Sequence, residues 1–391
     1  MKKTALLLLC GALFLGACQK IDYREEPSKD EELTGQLVDV SQFSGAARKL
    51  FVLNEGQMGS NNASLDFLRF PFGIYISDAF KKMNPSVGAG LGDVGNDIAV
   101  IGEELWMVVN NSGIVEVVSV FDETEVTAIS VPTPRNIAFD DKYAYVTSWA
   151  GAFATVAYDE YGNYSITDYY NTKGQVYRIN LKTKQVEGSV EVGYQPEGIA
   201  YYGGKLYVAN SGGISSQLPP SYSYDSTVSI IDAASFKVSS TVDVQINLKD
   251  VYSDGAGNIY VTTLGNFWDV HSGLYTFNVS NPTSVSLISN YVSVSAIYGD
   301  TVYCIGTDTE FDWSASHEYS LWGAQNGKKT IGISLDLAGI APYSFFVLDP
   351  NTFFIGDAGD YFNPGTLNCF HRGNKLWSIQ AGVCPGHFAT Y

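Results

Sequence analysis

The sequence predicts an all-β chain folded as a seven-bladed β-propeller, its ring closed by pairing the C-terminal strand with the N-terminal blade. Three observations carry that expectation. After Gly35 the chain is made of short alternating runs bounded by Gly, Asn, Asp and Pro, with no long helical period. One hairpin pattern recurs at irregular intervals of about 40 to 60 residues. A strand near each end has no partner of its own.

The repeat is plainest in PRNIAFDDKYAYVTS, from Pro134, and PEGIAYYGGKLYVANS, from Pro196. Both read Pro, two variable residues, Ile-Ala, a turn, then an aromatic and Val before small polar residues. Weaker copies begin at Asn96, Leu248, Val292 and Pro342. Each is trailed by a third strand, such as GQVYRINL, STVSIID or GLYTFNV, and often by a fourth, such as VEGSVEV. Four short antiparallel strands repeated in this manner mark a propeller; a sandwich does not repeat so.

Six complete inner hairpins lie between Asn96 and Asp357. LFVLNE, from Leu50, reads as a second strand without a first, and PGHFATY, from Pro385, as a first strand without a second. Joined, they complete a seventh blade and remove the open sheet edges that invite aggregation.

Ahead of the ring, MKKTALLLLCGALFLGAC has two lysines, an apolar run and small residues before Cys18. That is the pattern of an export signal over residues 1–17, too short to remain as a membrane span. Leu15-Gly16-Ala17-Cys18 resembles a bacterial lipobox, which implies lipidation at Cys18 and attachment to a membrane by acyl chains. Gln19 is not the aspartate that signals inner-membrane retention, so an outer-membrane, surface-exposed lipoprotein is expected. Residues 18–48, rich in acids and poor in large apolar groups, read as a flexible tether, leaving 49–391 as the propeller.

The chain carries 23 basic and 41 acidic residues, a formal charge of -18. Nucleic acid is disfavoured as a partner, because phosphate neutralisation needs surplus Lys and Arg. Beyond Cys10 and Cys18 only Cys304, Cys369 and Cys384 remain. They permit at most one disulfide, with Cys369 and Cys384 the nearest pair in sequence, and form no CxxC metal or redox signature.

Strands of a blade alternate in direction, so the loops after each second strand and before each first strand open on one face. On that face the loops are long; the hairpin turns opposite, such as DDK, YGG and GD, are short. Function is therefore expected on the elaborated side. Its loops are crowded with aromatic residues, among them Trp149, Tyr222, Tyr224, Phe267, Trp268, Trp313, Tyr361 and Phe362. Interleaved with Ser, Asn and Gly, these make stiff apolar plates with adaptable hydrogen-bonding groups between them. The ends of the second strands add Asn54, Glu55, Asn110, Asn111, Asn210 and Asp357, a polar residue per blade converging on the axis, although Asn and Asp also serve simply to cap tight turns. Arg135, Tyr194, Glu197 and His387, from the lead-ins and first strands, complete the candidate binding set.

LFVLNEGQMGSNNASLDFL, NPSVGAGLGDVGNDIAV, LWMVVNNSGIVEVV and GVCPGHFATY resemble the YncE-like, BtuG-type propeller lipoproteins of the Gram-negative cell surface. The resemblance spans Leu50 to Tyr391. It implies a non-catalytic binding protein that captures cobalamin (vitamin B12) or a related corrinoid and passes it to a TonB-dependent outer-membrane transporter of the BtuB type, with no cofactor of its own. The loop chemistry suits that cargo, since a corrinoid presents a broad flat ring edged by methyl groups and primary amides. Two rival classes use the same features. A lactonase-like propeller hydrolase would hold a metal through Glu55, Asn110, Asn210 and Asp357. A glycan-binding lipoprotein would stack sugars on the Trp and Tyr plates.

Overall fold

A computed structural model describes residues 35–43, 47–150, 172–212, 224–266, 269–307, 309, 318–330 and 332–391, and the backbone of strands Ala154–Tyr158 and Tyr164–Tyr169. Seven antiparallel blades form a β-propeller. The closing blade takes its first strand, Pro385–Thr390, from the far end of the chain and pairs it with Lys49–Asn54. Leu50 faces Thr390 and Val52 faces Phe388 in that register. Ser64–Arg69, Ile74–Ile76 and Gln36–Leu37 then extend this blade outward.

The other six follow in chain order, with first strands Gly95–Ile101, Pro134–Phe139, Pro196–Tyr202, Leu248–Ser253, Val292–Tyr298 and Ser344–Asp349. We number these blades two to seven. In the third, a separate hairpin, Ala154–Tyr158 paired with Tyr164–Tyr169, is inserted between the second and third strands. In the sixth, the fourth strand is split into Lys328–Lys329 and Ile333–Leu335, both paired with Tyr319–Gln325. That split accounts for the uneven repeat spacing in this part of the chain.

Alternation along each strand sends side chains to the two blade faces, so the apolar core lies between blades and not on the axis. Trp106, Val108 and Val117 of blade two meet Ile137, Val146 and Ile179 of blade three. Similar clusters join the third blade to the fourth, the fourth to the fifth and the sixth to the seventh. Leu50 and Val52 of the closing blade meet Phe354, Leu367 and Ile379 of the seventh. Each such Leu, Ile or Val contributes about 1.5–3 kcal/mol by leaving water.

One expectation is revised and one open point is decided. The end of the supposed tether is built into the closing blade: Gln36 and Leu37 pair with Tyr75 and Ile74, and Val38, Val40, Phe43 and Ala47 pack on its core. The indole N–H of Trp377 donates to the Asp39 carbonyl at 2.9 Å. A few apolar residues within an acidic stretch suffice to seat it there. Second, Cys369 and Cys384 do not pair; Cys304, Cys369 and Cys384 are all free and buried. Among the described residues no helix is long and apolar enough to cross a membrane.

Candidate functional site: the mouth of the axial channel

All seven first strands start at the loop face and line an axial cavity of about 660 Å³. Its far half is largely apolar and aromatic, with Ile199, Tyr201, Val251, Ile297, Phe346 and Phe388. Its mouth is charged. Going round the ring, the lining side chains are Glu55 and His387, then Asp97, Arg135, Glu197, Lys249 with Asp250, and finally Tyr343.

These charges are arranged as neighbouring pairs. The Nε2 of His387 lies 3.3 Å from Oε1 of Glu55, two residues from the two ends of the ring. Burial works against the charge of Glu55, but His387, the Tyr343 hydroxyl and the field of Lys249 hold its carboxyl below the usual range. Arg135 donates through Nε to Oε2 of Glu197 at 2.8 Å, across the third and fourth blades. Burial pushes the Glu197 carboxyl up, against the pull of Arg135. The guanidinium of Arg135 also lies 4.5 Å from the ring centre of Trp149. It is thus held between an aromatic plate and a carboxylate, a geometry in which cation–π attraction adds to the ion pair. The Trp149 indole N–H is buried with no partner at hydrogen-bonding distance, though near enough to Glu197 to favour its charge.

Asp97 is locked differently. Its two oxygens accept the backbone N–H groups of Ile98 and Ile137, at 2.8 and 2.9 Å, tying blade two to blade three. Burial raises its pKa, opposed by the charge of His387 and by those backbone donors. A mouth wired in this way is rigid, polar and of mixed sign, with donors and acceptors alternating round a ring.

The structure brings Glu55, Arg135, Glu197 and His387 of the candidate set to this mouth, with Trp149 stacked behind Arg135. It does not bring the asparagines there. Asn54 and Asn210 are 0% exposed. Each accepts, through Oδ1 at 3.1 Å, the N–H of a glycine at the end of the preceding blade's fourth strand: Gly382 of blade seven for Asn54, Gly193 of blade three for Asn210. Each donates to the start of the third strand, at Ser64 and Thr227 respectively. Only glycine fits opposite, because a Cβ would stand 2.6 Å from Asn54 Cγ or 2.5 Å from Asn210 Cγ. Both residues are corrected from ligand contacts to internal ties. Asn110 likewise donates to the Pro134 carbonyl at 2.8 Å and Asn111 to Asp93 at 2.7 Å. Asp357 accepts the N–H of Gly359, closing a turn. Of the quartet expected of a lactonase-like metal centre, only Glu55 reaches the mouth, while Asn110, Asn210 and Asp357 are engaged in local structure; among the described residues no group of His, Cys, Asp or Glu is placed to hold a metal.

Tyr361 and Phe362 are exposed on the loop face, as is Met58 in the loop after Asn54. Tyr194 and Tyr224 are half-buried beside one another's loops, where the Gly212 N–H meets the Tyr194 carbonyl and Asp225 caps the Tyr194 N–H. Tyr222, Phe267, Trp268 and Trp313 lie outside the described residues. Sequence reasoning missed Asp97, Lys249, Asp250 and Tyr343. The signal was in the repeat itself: Arg135 and Glu197 follow the lead-in proline, and Lys249 and Asp97 occupy equivalent places at the start of LKDVYS and NDIAV.

No known family profile matches the chain, and no curated protein does so either. Among solved structures it is similar to hydrazine synthase of Kuenenia stuttgartiensis, at 14% identity and a TM-score of 0.56. The match covers 75% of this chain and 89% of that one. A likeness at that identity concerns the fold alone. The class defined by fold and site is thus a seven-bladed propeller with a polar, charge-paired channel mouth on its elaborated face.

Proposed function

We propose that this chain is a non-catalytic capture protein that holds cobalamin or a related corrinoid over the mouth of the channel. In this reading it is tethered to the outer membrane through Cys18 and hands its cargo to a TonB-dependent transporter.

The observation that carries the reading is the alternation of charge round the mouth, from Glu55 and His387 through Asp97 to the Arg135 and Glu197 pair. A primary amide offers two N–H donors and a carbonyl acceptor. It can satisfy a carboxylate and a cation together, without a net charge to be desolvated. A ring of such groups suits a ring of amides, and the apolar loop residues Met58, Tyr361 and Phe362 on the same face suit a flat macrocycle. Because the ion pairs already hold the side chains in place, little ordering remains to oppose binding.

The test is direct. The full chain in detergent is mixed with cyanocobalamin, desalted, and its visible spectrum recorded. Stoichiometric retention of the red chromophore supports capture. Loss of all colour, together with turnover of a lactone panel that chelation abolishes, would replace this reading with the hydrolase, and polysaccharide mobility shifts would replace it with glycan binding.

A further inference from the structure

Lys249 differs from the other basic residues of the channel mouth. Arg135 is bound by Glu197 and covered by Trp149, and His387 is bound by Glu55. The ammonium of Lys249 makes no ion pair or hydrogen bond among the described residues. The carboxylates around it are occupied. Glu55 is taken by His387, and Asp250, the next residue along the strand, accepts the Thr262 hydroxyl at 2.9 Å through Oδ2. Lys249 thus touches no carboxylate, although its field reaches Glu55, and it stands on the wall of a cavity of about 660 Å³, on a strand fixed by its ladder to Asn258–Thr263.

Resting on the capture reading, we infer that Lys249 is the specificity residue for the one anionic group of a complete corrinoid, the phosphodiester of its nucleotide arm. The periphery of the macrocycle is otherwise made of neutral amides, which the paired charges of the mouth suit. A single phosphodiester requires a single cation, and lysine serves it as a compact point charge with three donors. The partial enclosure of the channel strengthens that contact relative to open water. The inference thereby divides the ligand: the ring over the mouth and its loops, the phosphate arm at Lys249.

The experiment compares cyanocobalamin with cobinamide, which has the ring and amides but no nucleotide or phosphate. Both are titrated into the full chain and into Lys249→Met and Lys249→Arg. The expected result is that Lys249→Met weakens cyanocobalamin by about ten- to a hundredfold, the range of a hydrogen bond to a charged group, and leaves cobinamide unchanged. Lys249→Arg restores most of the loss. Equal weakening of both ligands, or no effect on either, overturns the inference while leaving capture itself standing. Failure of the unmutated chain to retain either ligand overturns the capture reading, and this inference with it. Inorganic phosphate is the third probe. Displacement of cyanocobalamin but not of cobinamide supports an oxyanion site at Lys249; displacement of cobinamide counts against it, since that ligand would leave the site empty.

Discussion

Lys49 and Glu123 form an ion pair of 2.7 Å in which the lysine is 2% exposed and the glutamate 0%. The Lys49 ammonium also donates to the carbonyls of Val120 and Phe121 at 3.1 and 2.7 Å and lies 4.9 Å from the Phe67 ring centre. The pair sits where the closing blade meets the second, beside the strand-closing bonds between Lys49 and Tyr391. Removing one partner leaves a buried charge uncompensated. Lys49→Met is therefore expected to cost about 3–5 kcal/mol in urea unfolding, and the double variant Lys49→Met with Glu123→Leu to cost clearly less. An equal cost for both would show that the pair itself, and not the stranded charge, carries the stability.

Glu116 makes stability depend on pH. It is 3% exposed on the third strand of blade two, with Oε1 unpartnered. Burial, with a smaller contribution from Glu125, pushes its carboxyl up to about 8 from 4.5. A folded pKa above the unfolded value means that the native state binds the extra proton. This group therefore costs nothing below pH 4.5, and stability falls as pH rises to 8, by on the order of 4 kcal/mol. Glu116→Gln is expected to flatten that slope between pH 5 and 9 in denaturant titrations. A slope unchanged by the substitution would place its origin elsewhere.

The Arg135 and Trp149 stack gives a binding prediction. Trp149→Ala is expected to weaken cyanocobalamin retention about tenfold by loosening Arg135, and Trp149→Phe to preserve most of it, because a ring face remains for the guanidinium. Circular dichroism melting should move by only a few degrees in either variant. Unaltered affinity in Trp149→Ala would separate Arg135 from ligand recognition.

A chain ending at Cys384 tests closure. It lacks Pro385–Thr390 and exposes the whole inner edge of Lys49–Asn54. Expected is loss of the single cooperative melting transition, with aggregation in light scattering. A sharp unshifted transition would mean that the remaining strands suffice.

Much of the architecture was legible because the repeat is short and its turns are specific. Pro134 and Pro196 set the register, and the unmatched LFVLNE and PGHFATY called for each other. The site was legible in part. Glu55, Arg135, Glu197 and His387 reached the channel because strand direction alone places them there. Asn54 and Asn210 did not, because a polar residue at a strand end can serve its own blade as readily as a ligand. The decisive partners, Gly382 and Gly193, lie at the end of the neighbouring blade's fourth strand, for Asn54 at the other end of the sequence, and periodicity gives no hint of them. Lys49 was hidden for a similar reason: its burial comes from Glu123, 74 residues away and on another blade.

The joining of residues 49–54 to 385–390 also orders events in time. During synthesis the strand that finishes the ring follows the other blades, while Lys49–Asn54 waits with its inner edge uncovered. For that interval the half-built disc keeps two open flanks. The seam that makes the finished ring rigid is the same one that leaves its assembly most vulnerable.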